Sequence, residues 1–384
     1  MTLLAAQAEE QGRRISDFPC DVSTQSVPNN NTVLTFSDDF KAGWVDPSKW
    51  NTWVPWPVII NGELGAYVPN AFEFLPNVGI RIRADRRKIL QQDYTTGELA
   101  SFGKFSHAYG YFEMEARVPK GKGFWPAFWI MPFESGTNGA AEIDVMEILC
   151  QDPYTVHTTL HYLGMVSGRN LGLGESSGGS DFSEGFHKFA VSWRPSVLVW
   201  LVDGVEKFRI EGNMVPSTPE YIIANLAIGG SWPLPPDATT RFSAYMDIKS
   251  VHVYQYKDLK DALISTPPVT FGAAAVTPGV VKPGEGIDIR SSYRTDKPYP
   301  SVLARVYVTD FYGKKYLSEM DQTFRDVRPG SVNTVKVRWT VPGDFPAGIY
   351  TVAIKLNSGD PKVESFLGCA TRFEVSPAGV AYLK

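Results

Sequence analysis

From Val33 onward, short runs of β-branched, aliphatic and aromatic residues are separated by Gly, Pro and Asn. Tyr111 to Val118, Thr155 to Tyr162, Phe189 to Trp193 and Tyr221 to Ala227 read as strands, because such runs bounded by turn formers fit a pleated surface. Val197 to Val202 and Val205 to Ile210 flank Asp203-Gly204. That dipeptide predicts a hairpin, since a two-residue turn with positive φ matches the twist of the paired strands. No amphipathic pattern long enough for a ten-residue helix appears. Many strands at short spacing predict an all-β sandwich or barrel.

The pattern changes after Tyr256. A polar stretch, Lys257 to Lys260, leads to Ser265-Thr-Pro-Pro268, and consecutive prolines favour a stiff extended connection. Beyond it Gly286 to Ser292, Val302 to Asp310, Thr334 to Thr340, Gly348 to Leu356 and Ala370 to Val375 again read as strands. The division expected is a loose polar tail over 1–31, a first domain over 32–256, a linker over 257–268 and a smaller Ig-like β-sandwich over 269–384.

Composition sharpens this picture. The 384 residues are 43% hydrophobic and 20% charged, with a net charge of −4, as in globular domains. A basic excess that would hold a phosphate backbone is missing, so no nucleic-acid partner is expected. No apolar run approaches the ~20 residues of a membrane helix, so no membrane partner is expected either. Leu3 to Ala6, followed by Glu9 and Glu10, makes a poor signal peptide. Cys20, Cys150 and Cys369 lie far apart, with no metal-ligand spacing. Nine of the ten tryptophans fall between Trp44 and Trp232, which suits an aromatic core or a cleft with stacking platforms for sugar rings.

The chemistry concentrates in Glu142-Ile-Asp-Val-Met-Glu147. Side chains two apart on a strand share a face, so Glu142 and Asp144 point together. Glu147 has the opposite parity and joins them only if a β-bulge near Val145-Met146 inserts one extra residue. Two carboxyl groups brought about 5–5.5 Å apart suit a retaining glycosidase, with one as nucleophile and the other as acid and then base. Spacing alone leaves open an acidic solvated strand, or one lending oxygens to Ca²⁺. The run Phe124-Trp-Pro-Ala-Phe-Trp129 just upstream favours the catalytic reading.

At this point the chain resembles family 16 glycoside hydrolases, in the form of the signature that carries the bulge residue. Glu142 to Glu147 supplies the signature itself. Phe36 to Phe40 and Asp46 to Trp50 resemble the family's opening strand, and Asn61-Gly-Glu63 its Asn-x-Glu element. Gly110 to Arg117, Gly123 to Trp129, His161, Phe186-His187, Trp193, Val202 to Gly204 and Asn225 to Trp232 extend the likeness over about Val33 to Tyr256. The resemblance implies a jelly roll with a concave cleft. It further implies Glu142 as nucleophile, Glu147 as acid/base and Asp144 as helper. Substrate contacts implied are Asn61, Glu63, Trp125, Trp129, Asn225 and Trp232, with His161 beside the acid/base.

Within the family the run Trp-Pro-Ala-Phe-Trp looks most like laminarinases. They are endo-β-1,3-glucanases that often accept mixed β-1,3-1,4-glucans. A secreted, monomeric, cofactor-free hydrolase acting on a polysaccharide is the expectation. Two departures stand out. Laminarinase-like members continue Asn-x-Glu with Leu-Gln-Tyr-Tyr, where this chain has Leu64-Gly-Ala-Tyr67. An Asp in the last strand often ligates a structural Ca²⁺, and register on Tyr254 puts Lys249 there. An ammonium offers no acceptor, so no metal is expected at that place. Readings that remain open are hydrolysis of a bacterial exopolysaccharide or an algal galactan, glucan binding without catalysis, and transglycosylation.

Overall fold

The computed structural model describes residues 29–52, 61–89, 92–132, 141–163, 170–259, 269–272, 274–310, 315–357 and 366–376. The tail expected over 1–31 therefore lies outside them except at its end. There Asn29 to Asn31 form a turn, with the Asn31 N–H donating to Asn29 Oδ1. The linker lies mostly outside them too, although its first residues are docked, with Asp258 ion-paired to Arg194 at 2.8 Å.

Every regular element among the described residues is a strand. Two large antiparallel sheets hold most strands of residues 32–256, with a short parallel pair, Gly65–Tyr67 and Tyr94–Thr96, in addition. The eight-stranded sheet runs Val205–Glu211, Val197–Val202, His187–Arg194, Gly110–Arg117, Ala244–Tyr256, Gly79–Ala84 and Phe72–Leu75, with Thr32–Asp38 also on Ala244–Tyr256. The six-stranded sheet runs Asn170–Gly178, Thr155–Leu163, Ala141–Glu147, Phe124–Pro132, Glu220–Ile228 and Glu98–Ala100. Their facing sides bury one continuous core, in which Phe112, Phe124, Phe128, Phe189, Trp193 and Trp200 are among the largest enclosed side chains. The predicted hairpin forms with its turn as expected, Asp203 and Gly204 both taking positive φ (51° and 78°). This architecture is the jelly-roll sandwich predicted.

Residues 269–375 form a four-stranded and a five-stranded sheet around a separate core that includes Ile287, Val306, Val352 and Phe373. Lys315–Val327, which the hydrophobic pattern does not mark, is the edge strand of the larger sheet. Of the tyrosines in this region, Tyr299 is buried in this core. The side chains of Tyr312 and Tyr316 fall outside the described residues.

Candidate active site

The acidic strand Ala141–Glu147 lies between Thr155–Leu163 and Phe124–Pro132. On the first side Glu147 stands opposite His157 and Asp144 opposite Thr159, so three steps on one strand match two on the other. On the second side Phe128 faces Met146 while Trp129 faces Asp144, which leaves Val145 as the extra residue. This is the bulge that the parity of the two glutamates demands. Trp200 holds it from across the sandwich, its indole N–H donating to the Asp144 carbonyl at 2.9 Å. This fully buried core side chain is thus also the clamp on the bulge.

The bulge collects the three carboxyl groups. Asp144 and Glu147 are buried and Glu142 is half-buried. Burial raises the Glu142 carboxyl, opposed by the charge of His161 and by a hydrogen bond with Asp144. Burial, then the Glu142 charge, drives Asp144 well above the usual carboxylate range. Of this pair Asp144 is driven well above its range, while the hydrogen bond between the two favours the ionised form of Glu142. Glu147 is also held well above its usual range, by burial first and then by the charges of Asp144 and Glu142. Trp125 opposes that rise by donating its indole N–H to Glu147 Oε1 at 3.0 Å.

The histidines are placed differently from expectation. His161 stands opposite Glu142, not opposite Glu147, with Nε2 3.1 Å from Asp144 Oδ2. The residue beside Glu147 is His157, which sequence reasoning leaves structural. Its Nδ1 lies 2.8 Å from Ser176 Oγ and its ring meets Trp232 edge-on at 4.8 Å. The two histidines, four residues apart, span the five steps between the glutamates because the bulge takes up the extra residue.

Trp125 and Trp232 meet edge-on at 5.5 Å, and Trp232 remains exposed. A second group forms a chain of hydrogen bonds along the same face. Trp129 Nε1 donates to Asn225 Oδ1 at 2.9 Å, Asn225 Nδ2 to Tyr67 OH at 3.1 Å, and Tyr67 OH to Glu63 Oε2 at 2.8 Å. Burial pushes the Glu63 carboxyl up to about 7, with the Tyr67 hydrogen bond opposing. Tyr67 is the tyrosine kept in the departure Leu64-Gly-Ala-Tyr67, and sequence reasoning did not place it in the site. Asn61 is exposed, with positive φ, and its carbonyl accepts the Ser231 N–H at 2.9 Å, next to Trp232. The corner that permits this needs glycine at 229, where φ is +68° and a Cβ would sit 2.7 Å from the Leu64 side chain.

The remaining acidic groups have other partners. Glu113 pairs with Lys188 at 2.9 Å and Glu115 with Lys249 at 2.6 Å. Lys249, at the place of the family's Ca²⁺ ligand, is thus engaged with a carboxylate. Glu142, Asp144 and His161 bring one ligand atom each within 4.8 Å of one another, a spacing that would accept a cation. Cys150 is a buried free thiol.

Residues 71–246 match the model of glycosyl hydrolases family 16. The chain is 34% identical over 226 residues to the endo-1,3-1,4-beta-glycanase EglC of Rhizobium meliloti, covering 54% of this chain and 47% of that protein. It thus spans about half the length of that relative. It is 32% identical over 251 residues to a beta-glucanase of Rhodothermus marinus, covering 58% of this chain and 85% of that one. Among solved structures, the catalytic domain of an endo-1,3-beta-glucanase (laminarinase) from Thermotoga petrophila superposes with a TM-score of 0.53 at 32% identity. That match covers 59% of this chain and 98% of the other. Fold, family match and relatives agree: the chain belongs to glycosyl hydrolases family 16.

Proposed function

We propose that this chain is a retaining endo-hydrolase of β-1,3- or mixed β-1,3-1,4-glucan, acting outside the cell as a monomer. The observation that carries the reading is the bulged strand. It gathers Glu142, Asp144 and Glu147 on one face, with Asp144 and Glu147 held well above the usual carboxylate range.

Glu142 attacks the anomeric carbon while Glu147 gives its proton to the departing glycosidic oxygen. The product is a glycosyl ester on Glu142, with Glu147 now ionised. Glu147 then takes a proton from water, whose oxygen displaces Glu142 and restores both groups. Asp144 neutralises and orients Glu142 through the shared proton. Trp125, Trp129 and Trp232 offer apolar faces to the sugar rings. Asn61, Glu63, His161 and Asn225 supply polar contacts, ordered through Tyr67. The names of the relatives support a β-glucan as the polymer. The residues 269–384 are read as an accessory Ig-like sandwich.

The test is a panel of laminarin, lichenan, agarose and an acidic exopolysaccharide, with products sized over time. Internal cuts in laminarin or lichenan agree with the proposal. Cuts confined to agarose or the exopolysaccharide would move the substrate assignment. Retained activity in a folded Glu142→Gln variant would defeat the catalytic roles.

A further inference from the structure

The cleft face of the six-stranded sheet does not end at the active site. Trp129 stands opposite Asp144 and shares an apolar cluster with Met131, Tyr221, Ile223, Ala100 and Phe102. The residue that packs on this cluster from the C-terminal sheets is Ala353. Two further contacts fix that placement. Lys104 Nζ donates to the Phe271 and Gly272 carbonyls at 3.2 Å each, and the Phe271 N–H donates to the Gly103 carbonyl at 3.3 Å.

Alternation then decides what lies beside Ala353. On Gly348–Asn357, Val352, Ile354 and Leu356 enter the C-terminal core, so Ala353 and Lys355 face outward together. On the neighbouring strand Tyr299–Asp310, Val306 and Val308 enter that core and Tyr307 faces outward. Tyr307 stands directly opposite Ala353 and is half-buried, as is Lys355. Arg305, opposite Lys355, is held by Asp321 at 2.7 Å and donates to Tyr307. The cluster that contains Trp129 is thus continuous with a surface bearing one aromatic ring and one ammonium.

We propose that the C-terminal sheets complete the cleft: Tyr307 and Lys355 form a remote subsite that holds sugar units of the same polysaccharide chain bound at Trp129. The inference rests on the glucanase reading above. Tyr307 provides a ring for a sugar face, and Lys355 provides donors for hydroxyl oxygens. The accessory region then acts as a fixed wall of the active site, and its contribution depends on substrate length.

The test uses the full chain with Tyr307→Leu and Lys355→Ala, singly and together, on polymeric laminarin or lichenan and on the shortest oligosaccharide cut. The melting temperature verifies folding, and Lys355→Ala, at a half-buried position away from the core, guards against misfolding of the tyrosine variant. The expected result is a KM for polymer raised about tenfold in the double variant, with kcat and the kinetics on the short substrate unchanged. Equal losses on both substrates, or unchanged polymer KM in a folded double variant, overturn the proposal alone. No cleavage of any polymer by the wild-type chain overturns the glucanase reading and this one with it.

Discussion

Replacing Trp125 by Phe removes one hydrogen bond from Glu147, the proposed catalytic acid, and leaves an aromatic ring beside Trp232. The Trp125 indole N–H, 3.0 Å from Glu147 Oε1, stabilises the ionised carboxylate and so holds its pKa down. Removing it lets burial and the charges of Asp144 and Glu142 act unopposed, and the pKa rises. A hydrogen bond to a charged group contributes about 1.5–3 kcal/mol, and one pKa unit corresponds to about 1.4 kcal/mol. Glu147 keeps some contact with solvent at 9% exposure, so the lower end applies and the shift is about one unit. The assay is the pH profile of kcat/KM on laminarin or lichenan. Its basic limb reports loss of the proton from the acid in the free enzyme. In Trp125→Phe that limb moves upward by about one unit while the acidic limb, set by Glu142, stays in place. A basic limb that does not move, or moves down, refutes the assignment of Glu147 as acid and Trp125 as its tuner.

Three further outcomes follow from the same geometry. Glu63, held at about 7 by burial, changes charge across neutral pH, so KM varies with pH there and becomes flat in Glu63→Gln; a pH-dependent KM surviving in that variant contradicts a cleft role for this carboxyl. Asp247 is buried, which alone would raise its pKa, yet hydrogen bonds from Arg81 and Arg117 hold it below the usual range. Its stabilisation is therefore present above the ordinary Asp value of about 4 and is lost as pH falls through the depressed folded value. Asp247→Asn should cost about 3 kcal/mol at pH 7 by urea unfolding, and the difference from wild type should shrink in acid. Because Lys249 pairs with Glu115 at the place of the family's Ca²⁺ ligand, EDTA should leave the melting temperature and the activity unchanged; a large fall in either would show a cation bound there or among Glu142, Asp144 and His161.

Much of the site is legible in the sequence because parity is a strict rule. Glu142 and Glu147 can share a face only through a bulge, and the register shows one, with Val145 as the extra residue. The rule does not give the register of the neighbouring strand, and it is that register which sets His161 opposite Glu142 and His157 opposite Glu147. Tyr67 escapes sequence reasoning for a different reason. Its role comes from Asn225, 158 residues later, and nothing local encodes that contact. The long central strands were readable because both faces are covered and the residues are apolar. Asn170–Gly178 and Lys315–Val327 are edge strands. Bonded on one side, they tolerate glycine and charge, and their sequences carry little β pattern. Two further buried groups were also unforeseeable from composition. Glu220 is fully enclosed and burial holds its carboxyl well above the usual range, and the Trp200 indole is committed to a backbone carbonyl.

The central claim is that Glu142 forms the bond to sugar while Glu147 supplies the proton. The most direct measurement is mass spectrometry of the chain after reaction with a 2-deoxy-2-fluoro β-glucosyl or laminaribiosyl donor carrying a good leaving group. Such a donor slows breakdown of a covalent intermediate more than its formation. The account predicts one sugar adduct, mapped to the peptide carrying Glu142 and esterified at that residue. An adduct on Glu147, or no adduct in a protein that the reagent inactivates, would contradict it.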